Sequence, residues 1–127
     1  MLLLAALAAA GPTPNKSTVE DYMEGFRKTD RPRILACLTE DVEWDIPGVF
    51  HVRGKSEFAK HILDEGFAPH PAITVTRLIE SGDVVVVEGS VRAERTDGTF
   101  VNLAFCDVFE MRVGKIRKLT SYLMEKK

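Results

Sequence analysis

The residue in this chain best placed to do chemistry is Asp107. It lies in the apolar run Phe100-Val-Asn-Leu-Ala-Phe-Cys-Asp-Val-Phe-Glu-Met111. In a strand, successive side chains point to opposite faces. One face of this run then carries Val101, Leu103, Phe105, Asp107, Phe109 and Met111, with Asp107 as its single charge. A carboxyl group among five apolar neighbours loses hydration, which favours its neutral form and raises its pKa. An acid tuned in this way can both give and take a proton near neutral pH. A structural carboxyl at a bulge, or one bound to a neighbouring hydroxyl or amide, is the alternative reading of the same pattern.

Other side chains with chemical potential are scattered. Trp44 falls on the inward side of a short strand, where it reads as a buried wall that can shape a pocket. His51, His61 and His70 share no short spacing, so no zinc site is expected. His51, just ahead of a helix, is the best placed of the three to enter a pocket, and imidazole suits proton transfer. Tyr122 offers a hydroxyl from the last strand, or packs at the sheet edge. Cys37 and Cys106 have neither metal nor redox spacing and read as reduced, structural thiols. No G-x-S-x-G, P-loop or dinucleotide glycine fingerprint is present, so serine hydrolysis and nucleotide cofactors lack support.

Composition narrows the class further. The 127 residues are 45% hydrophobic and 28% charged, as in an ordinary soluble domain with a real core. Seventeen basic against nineteen acidic side chains leave a net charge of −2, and no long basic run exists. Nucleic-acid binding is therefore not expected. Residues 1–16 divide from the rest as an apolar leader, Met1 to Ala10, and a Gly/Pro linker. The leader is too short to span a bilayer and lacks a basic n-region. It reads as an atypical export signal, a short docked helix, or an upstream start-codon artefact. The location expected is cytoplasmic, with export through the leader as the alternative.

Residues 17–127 form the domain that must position Asp107. Ser17 and Glu20 have capping-box spacing, predicting a helix over 18–29 with Val19, Tyr22, Met23 and Phe26 on its buried stripe. Asp30 opens a second short helix that buries Ile34, Leu35 and Leu38. Val42, Trp44 and Ile46 alternate with Glu43 and Asp45 as a strand, which Pro47-Gly48 ends. A third helix is predicted over 56–65, with Phe58, Ala59, Ile62 and Leu63 inward and Gly66 as its C-cap. From residue 72 the pattern is all strand: 73–79, 84–95, the Asp107 strand and 116–124, joined by Ser81-Gly82-Asp83, Asp97-Gly98 and Val113-Gly114 turns. Helices first and strands second make the class α+β. Long strands meeting three short helices imply a strongly curved mixed sheet, a cone-shaped α+β barrel with the helices over its concave side. Such a cone leaves a pocket at its open end.

The order helix–helix–strand (Asp41-Val-Glu-Trp-Asp-Ile-Pro47), then His51-Val-Arg-Gly54, then strands through Phe105-Cys-Asp-Val-Phe-Glu-Met111 and Ser121-Tyr-Leu123, resembles the SnoaL-like branch of the nuclear-transport-factor-2-like superfamily. The resemblance spans about residues 17–125. That superfamily also holds ketosteroid isomerases, scytalone dehydratases and limonene epoxide hydrolases. The resemblance implies that Tyr22 stands where the isomerases carry their oxyanion-hole tyrosine. Asp107 stands at their second oxyanion-hole position, an aspartic acid kept neutral by an apolar site. In SnoaL-type cyclases an aspartate on the equivalent strand is the acid/base of an aldol ring closure.

The chain also departs from these relatives. The isomerases' proton-shuttling aspartate corresponds to Ile46 here, and Asp45 alternates to the other face. Glu88, Arg92 and Glu94 share one face of their strand, so a carboxylate–Arg–carboxylate set with Asp107 is open, though it does not match the epoxide-hydrolase motif. The function expected is a cofactor-independent lyase or isomerase working by proton transfer on a small apolar carbonyl or polycyclic compound, with Asp107 and Tyr22 catalytic. Trp44, Ile46, His51, Phe58, Phe105, Phe109 and Tyr122 are expected to line the pocket. A non-catalytic module that binds a hydrophobic ligand is the alternative, and an epoxide hydrolase a further one. The resemblance also implies a homodimer packed through the outer sheet face at Ala104, Cys106 and Val108.

Overall fold

The computed structural model describes residues 13–127. The expected leader and the first linker residues lie outside this range. Helix α1, Pro14–Arg27, begins earlier than the capping box at Ser17 predicts. Thr13 is extended and its hydroxyl accepts from the Lys16 amide at 3.1 Å, while Pro14 takes the first helical position. Proline there forfeits only an amide that has no helical partner anyway, and it presets φ. The Ser17 amide already donates into the helix, to the Thr13 carbonyl at 2.9 Å. Residues 14–16 are therefore helix, not linker.

Helix α2, Arg31–Ala36, follows the Asp30 cap as the sequence predicts. Gly25 lets it lie close against α1: a Cβ at that position would stand 2.9 Å from Ile34 Cγ1. Strand β1 runs Leu38–Ile46, turns at Gly48 (φ +81°), and pairs with the short antiparallel strand β2, Phe50–Arg53. The local pattern makes this last segment a lead-in to a helix; cross-strand pairing with Glu43–Ile46 overrides that. Helix α3, Lys55–Ala59, is five residues long instead of the ten expected, and Gly66 does not cap it. Its last turn tightens into i→i+3 bonds at His61 and Ile62, and the Asp64 side chain then accepts from the Gly66 amide at 3.0 Å. An Asx turn of this kind competes with helix for the same backbone donors.

Four long strands complete the chain: β3 Ala72–Ser81, β4 Val84–Glu94, β5 Phe100–Arg112 and β6 Lys115–Glu125. The six strands make one mixed sheet in the order β2-β1-β6-β5-β4-β3, parallel only between β1 and β6. Register shifts interrupt β3 at Val75/Arg77 and the β5–β6 ladder at Glu110/Met111. Bulges of this kind bend long strands. The class is α+β, with a sheet curved like a cone and not closed. Val85, Val87, Phe109, Ile116 and Leu119 on the inner face are fully buried with Val19, Ile34 and Phe58 from the helices. No helix among the described residues is long and apolar enough to cross a membrane.

Candidate active site

The alternation of β5 places Asp107 on the inner face, between Phe105 and Phe109. On the adjacent strands it stands directly opposite Val87 of β4 and Ser121 of β6. Asp107 is only 8% exposed. Burial pushes its carboxyl up to about 7, and the Ser121 hydroxyl holds the value down against that effect. A carboxyl with such a pKa is present in both protonation states at neutral pH.

A cavity of about 150 Å³ opens in front of Asp107. Its wall is built by α1 (Tyr22, Met23, Phe26), β1 (Trp44, Ile46), Pro71 and Ile73, Val91 of β4, and β5 and β6 (Phe105, Ser121, Leu123). The surface is almost wholly apolar. This volume matches the engineered apolar cavities that hold a benzene-sized ring. A second cavity of about 220 Å³ lies beyond Phe26 and Pro71, against Ile62, Phe67 and Leu103, with His61 and Asp64 in its wall.

Tyr22 is the other titratable group at the first cavity. It is held by ring contacts on three sides, with Phe26 at 4.9 Å, Phe109 at 5.2 Å and Phe58 at 6.4 Å between centroids. Burial first, and then the Asp107 charge, push its pKa well above the ordinary tyrosine value. The phenol therefore keeps its proton at neutral pH and has a hydrogen bond to donate. Trp44 stacks on Phe58 at 4.4 Å, and its indole N–H donates to Ser121 Oγ at 3.1 Å. Asp107, Tyr22, Trp44, Ile46 and Phe105 thus meet around one cavity.

Residues 19–119 match the SnoaL-like domain. The chain belongs to the SnoaL-like domain family. No curated protein matches it. An NTF2-like protein of unknown function from Burkholderia pseudomallei is 25% identical over 88% of this chain and 92% of its own, with a TM-score of 0.80. TerC, co-crystallised with polyporic acid, is 26% identical over 86% of this chain and 90% of its own, with a TM-score of 0.75. An LEH-like epoxide hydrolase from M. tuberculosis shares the fold at 20% identity, covering 89% of this chain and 84% of its own, with a TM-score of 0.78.

Several residues expected in the pocket of this SnoaL-like domain lie elsewhere. Phe58 and Phe109 are fully buried behind the cavity wall and hold Tyr22 and Trp44 from behind. His51 sits on edge strand β2, half-exposed, with Nε2 3.6 Å from Glu43 and Nδ1 4.0 Å from Asp45 on the outer side. Tyr122 points outward and is 53% exposed, since Ser121 takes the inward position. The set of Glu88, Arg92 and Glu94 with Asp107 is overturned by strand parity. Glu88 pairs with Arg77, and the Arg92 guanidinium lies 4.1 Å over the Phe100 ring, away from the inner face. Among the described residues no cluster of three His, Cys, Asp or Glu could hold a metal ion. Beyond the residues expected there, the wall also holds Met23, Phe26, Pro71, Ile73, Val91, Ser121 and Leu123. The inward parity of Ser121 was legible from Leu119, but its position opposite Asp107 needed the β5–β6 register.

Proposed function

We propose that this protein is a cofactor-independent proton-transfer enzyme of the cyclase/isomerase type. Its substrate would be a small, largely apolar carbonyl or polycyclic compound. The observation that carries the reading is Asp107: a lone carboxyl with a pKa of about 7, facing an apolar cavity beside a phenol that stays protonated.

The chemistry follows from those two groups. The Asp107 carboxylate takes a proton from the carbon next to a substrate carbonyl, and the bond electrons pass to the carbonyl oxygen as an enolate. The Tyr22 hydroxyl donates a hydrogen bond to that oxygen, the kind of preorganised stabilisation that works best where water is excluded. The enolate carbon then attacks a second carbonyl of the same molecule, and neutral Asp107 returns its proton to the new alkoxide. Reprotonation at a different carbon would give an isomerisation instead. In either case the proton leaves and rejoins through Asp107, so no cofactor is consumed.

The test is a product-forming screen of aromatic and polycyclic carbonyl compounds, followed by Asp107→Asn. That substitution keeps the shape and removes the proton carrier, and kcat should fall by about 10²–10⁴-fold. Normal turnover by the variant would overturn the reading. A second reading is favoured by Ile46, which stands on the cavity wall where isomerases carry a shuttling base. In it the cavity binds an apolar ligand without reaction, and saturable binding with no product would select it. The reading extends to assembly and location. Two copies would pair through the outer sheet face, and the free thiols Cys37 and Cys106 fit a cytoplasmic setting.

A further inference from the structure

Among the described residues, Ser121 is the only hydroxyl-bearing side chain besides Tyr22 on the wall of the first cavity, and its position is doubly constrained. It lies directly across the β5–β6 ladder from Asp107. In an antiparallel pair, directly opposed residues have Cβ atoms about 4.5–5.5 Å apart, within reach of a serine–carboxyl hydrogen bond. On its other side, Ser121 Oγ accepts the Trp44 indole N–H at 3.1 Å in a buried hydrogen bond spanning 77 residues of sequence. An indole nitrogen can only donate, whereas a hydroxyl has one proton to give and lone pairs to receive.

We propose that Trp44 and Ser121 form a positioning relay that makes the Ser121 hydroxyl a fixed donor to Asp107, so that neutral Asp107 must carry its proton on the oxygen facing the cavity. With the indole N–H occupying the acceptor side of Ser121, the serine proton is turned toward the carboxyl. In a neutral carboxylic acid the carbonyl oxygen is the better acceptor, so the oxygen that receives this bond is the unprotonated one and the proton sits on the other. Asp107 lines the cavity, so the oxygen left free by Ser121 is the one open to a bound molecule. The relay thereby settles which oxygen exchanges protons with a bound molecule, and its catalytic meaning rests on the proposed function. Neither Trp44 nor Ser121 need touch the reacting atoms.

The groups facing Asp107 are few. From α1 comes Tyr22, which stays protonated; from β6, Ser121; from β4, Val87; from β1, Trp44; and along β5 itself, Phe105 and Phe109. Cys106 and Glu88 belong to the outer face. No basic side chain among the described residues lines the cavity. A donor fixed on Asp107 stabilises its charged form, so the Ser121 hydroxyl holds the pKa below what burial alone would give, in agreement with the opposing effect it has there.

The experiment is an NMR titration of the whole chain. Trp44 is its single tryptophan, so one indole N–H signal reports the relay without ambiguity. In the wild type that signal should shift with the same midpoint as the Asp107 carboxyl, and in Ser121→Ala the shift should fall to less than half. Ser121→Ala should raise the Asp107 midpoint by about one unit. Trp44→Phe should also raise it, because the freed serine can then accept from neutral Asp107; combined with Ser121→Ala it should add nothing further. If Trp44→Phe lowers the midpoint, as water entering the vacated space would, or if the indole signal ignores the Asp107 titration, the relay is overturned. Should Trp44→Phe fail to fold, the wild-type and Ser121→Ala titrations decide alone. These readouts need no substrate, so a relay that holds in a protein without turnover would remove the proposed reaction and leave the positioning intact.

Discussion

A carboxyl held out of water is a cost that the fold carries for Asp107. Its pKa is about 7 in the folded protein against an ordinary value of 3.8, so the folded state binds the proton more tightly than the unfolded chain. Stability from this group is therefore fully present below about pH 4 and is lost as pH rises toward 7. A gap of roughly three pKa units corresponds to about 4 kcal/mol at most, reduced where water relaxes the site. Asp107→Asn does not ionise. Relative to wild type it should gain about 2 kcal/mol or more of stability between pH 5 and pH 8, measured by urea denaturation at each pH. An unchanged difference across that range would mean that burial does not set the Asp107 pKa. Much of this was legible beforehand, because strand alternation alone isolates one charge among Val101, Leu103, Phe105, Phe109 and Met111. The Trp44–Ser121 hydrogen bond was not legible, since parity cannot say which residue on a distant strand stands opposite.

The strands of the second half, with their Asp-Gly and Val-Gly turns, follow directly from β-branched alternation and turn chemistry. The misread elements lie where a local preference lost to something else. Thr13 and Pro14 start α1 ahead of the Ser17 box, the Asp64 turn shortens α3, and pairing with β1 makes a strand of 50–53. Gly89 shows an element constraint that no pattern announces. A Cβ there would come within 2.1 Å of the Thr74 carbonyl and 2.9 Å of the Phe105 ring. The missing side chain lets β3 close over β4 at its bulge and lets Phe105 lie flat as a cavity wall. Backbone on one side and a packed ring on the other leave no cheap relaxation. Gly89→Ala should lower stability by about 2–3 kcal/mol or more, seen as a drop in Tm, and should weaken binding of any aromatic probe. A variant with wild-type Tm would mean that β3 shifts freely, and the wall would not depend on this glycine.

At the scale of the molecule, the same curvature that closes the inner face around a cavity leaves the outer face open. That face carries Ala104, Cys106 and Val108 from β5, flanked by Thr120, Tyr122 and Met124 of β6. Tyr122 is 53% exposed and Met124 72%, and Phe100 also turns outward at the start of β5. The order of the sheet explains why these residues gather: the β1–β6 parallel pairing, invisible to any local pattern, puts β6 and β5 at the centre. Ala104, Cys106 and Val108 are half-buried there while Tyr122 and Met124 stand exposed, and large exposed apolar side chains in the middle of a sheet mark a surface suited to a partner. Pairing of two copies across it would bury Tyr122 and Met124 while leaving both cavities open on the opposite side. Sedimentation at micromolar concentration should then give a dimer, and Val108→Arg, which sets a charge within this face, should give a folded monomer. Because Val108 points away from Asp107, the monomer should keep the Asp107 titration midpoint. A wild-type chain that sediments as a monomer would leave the outer face without this role.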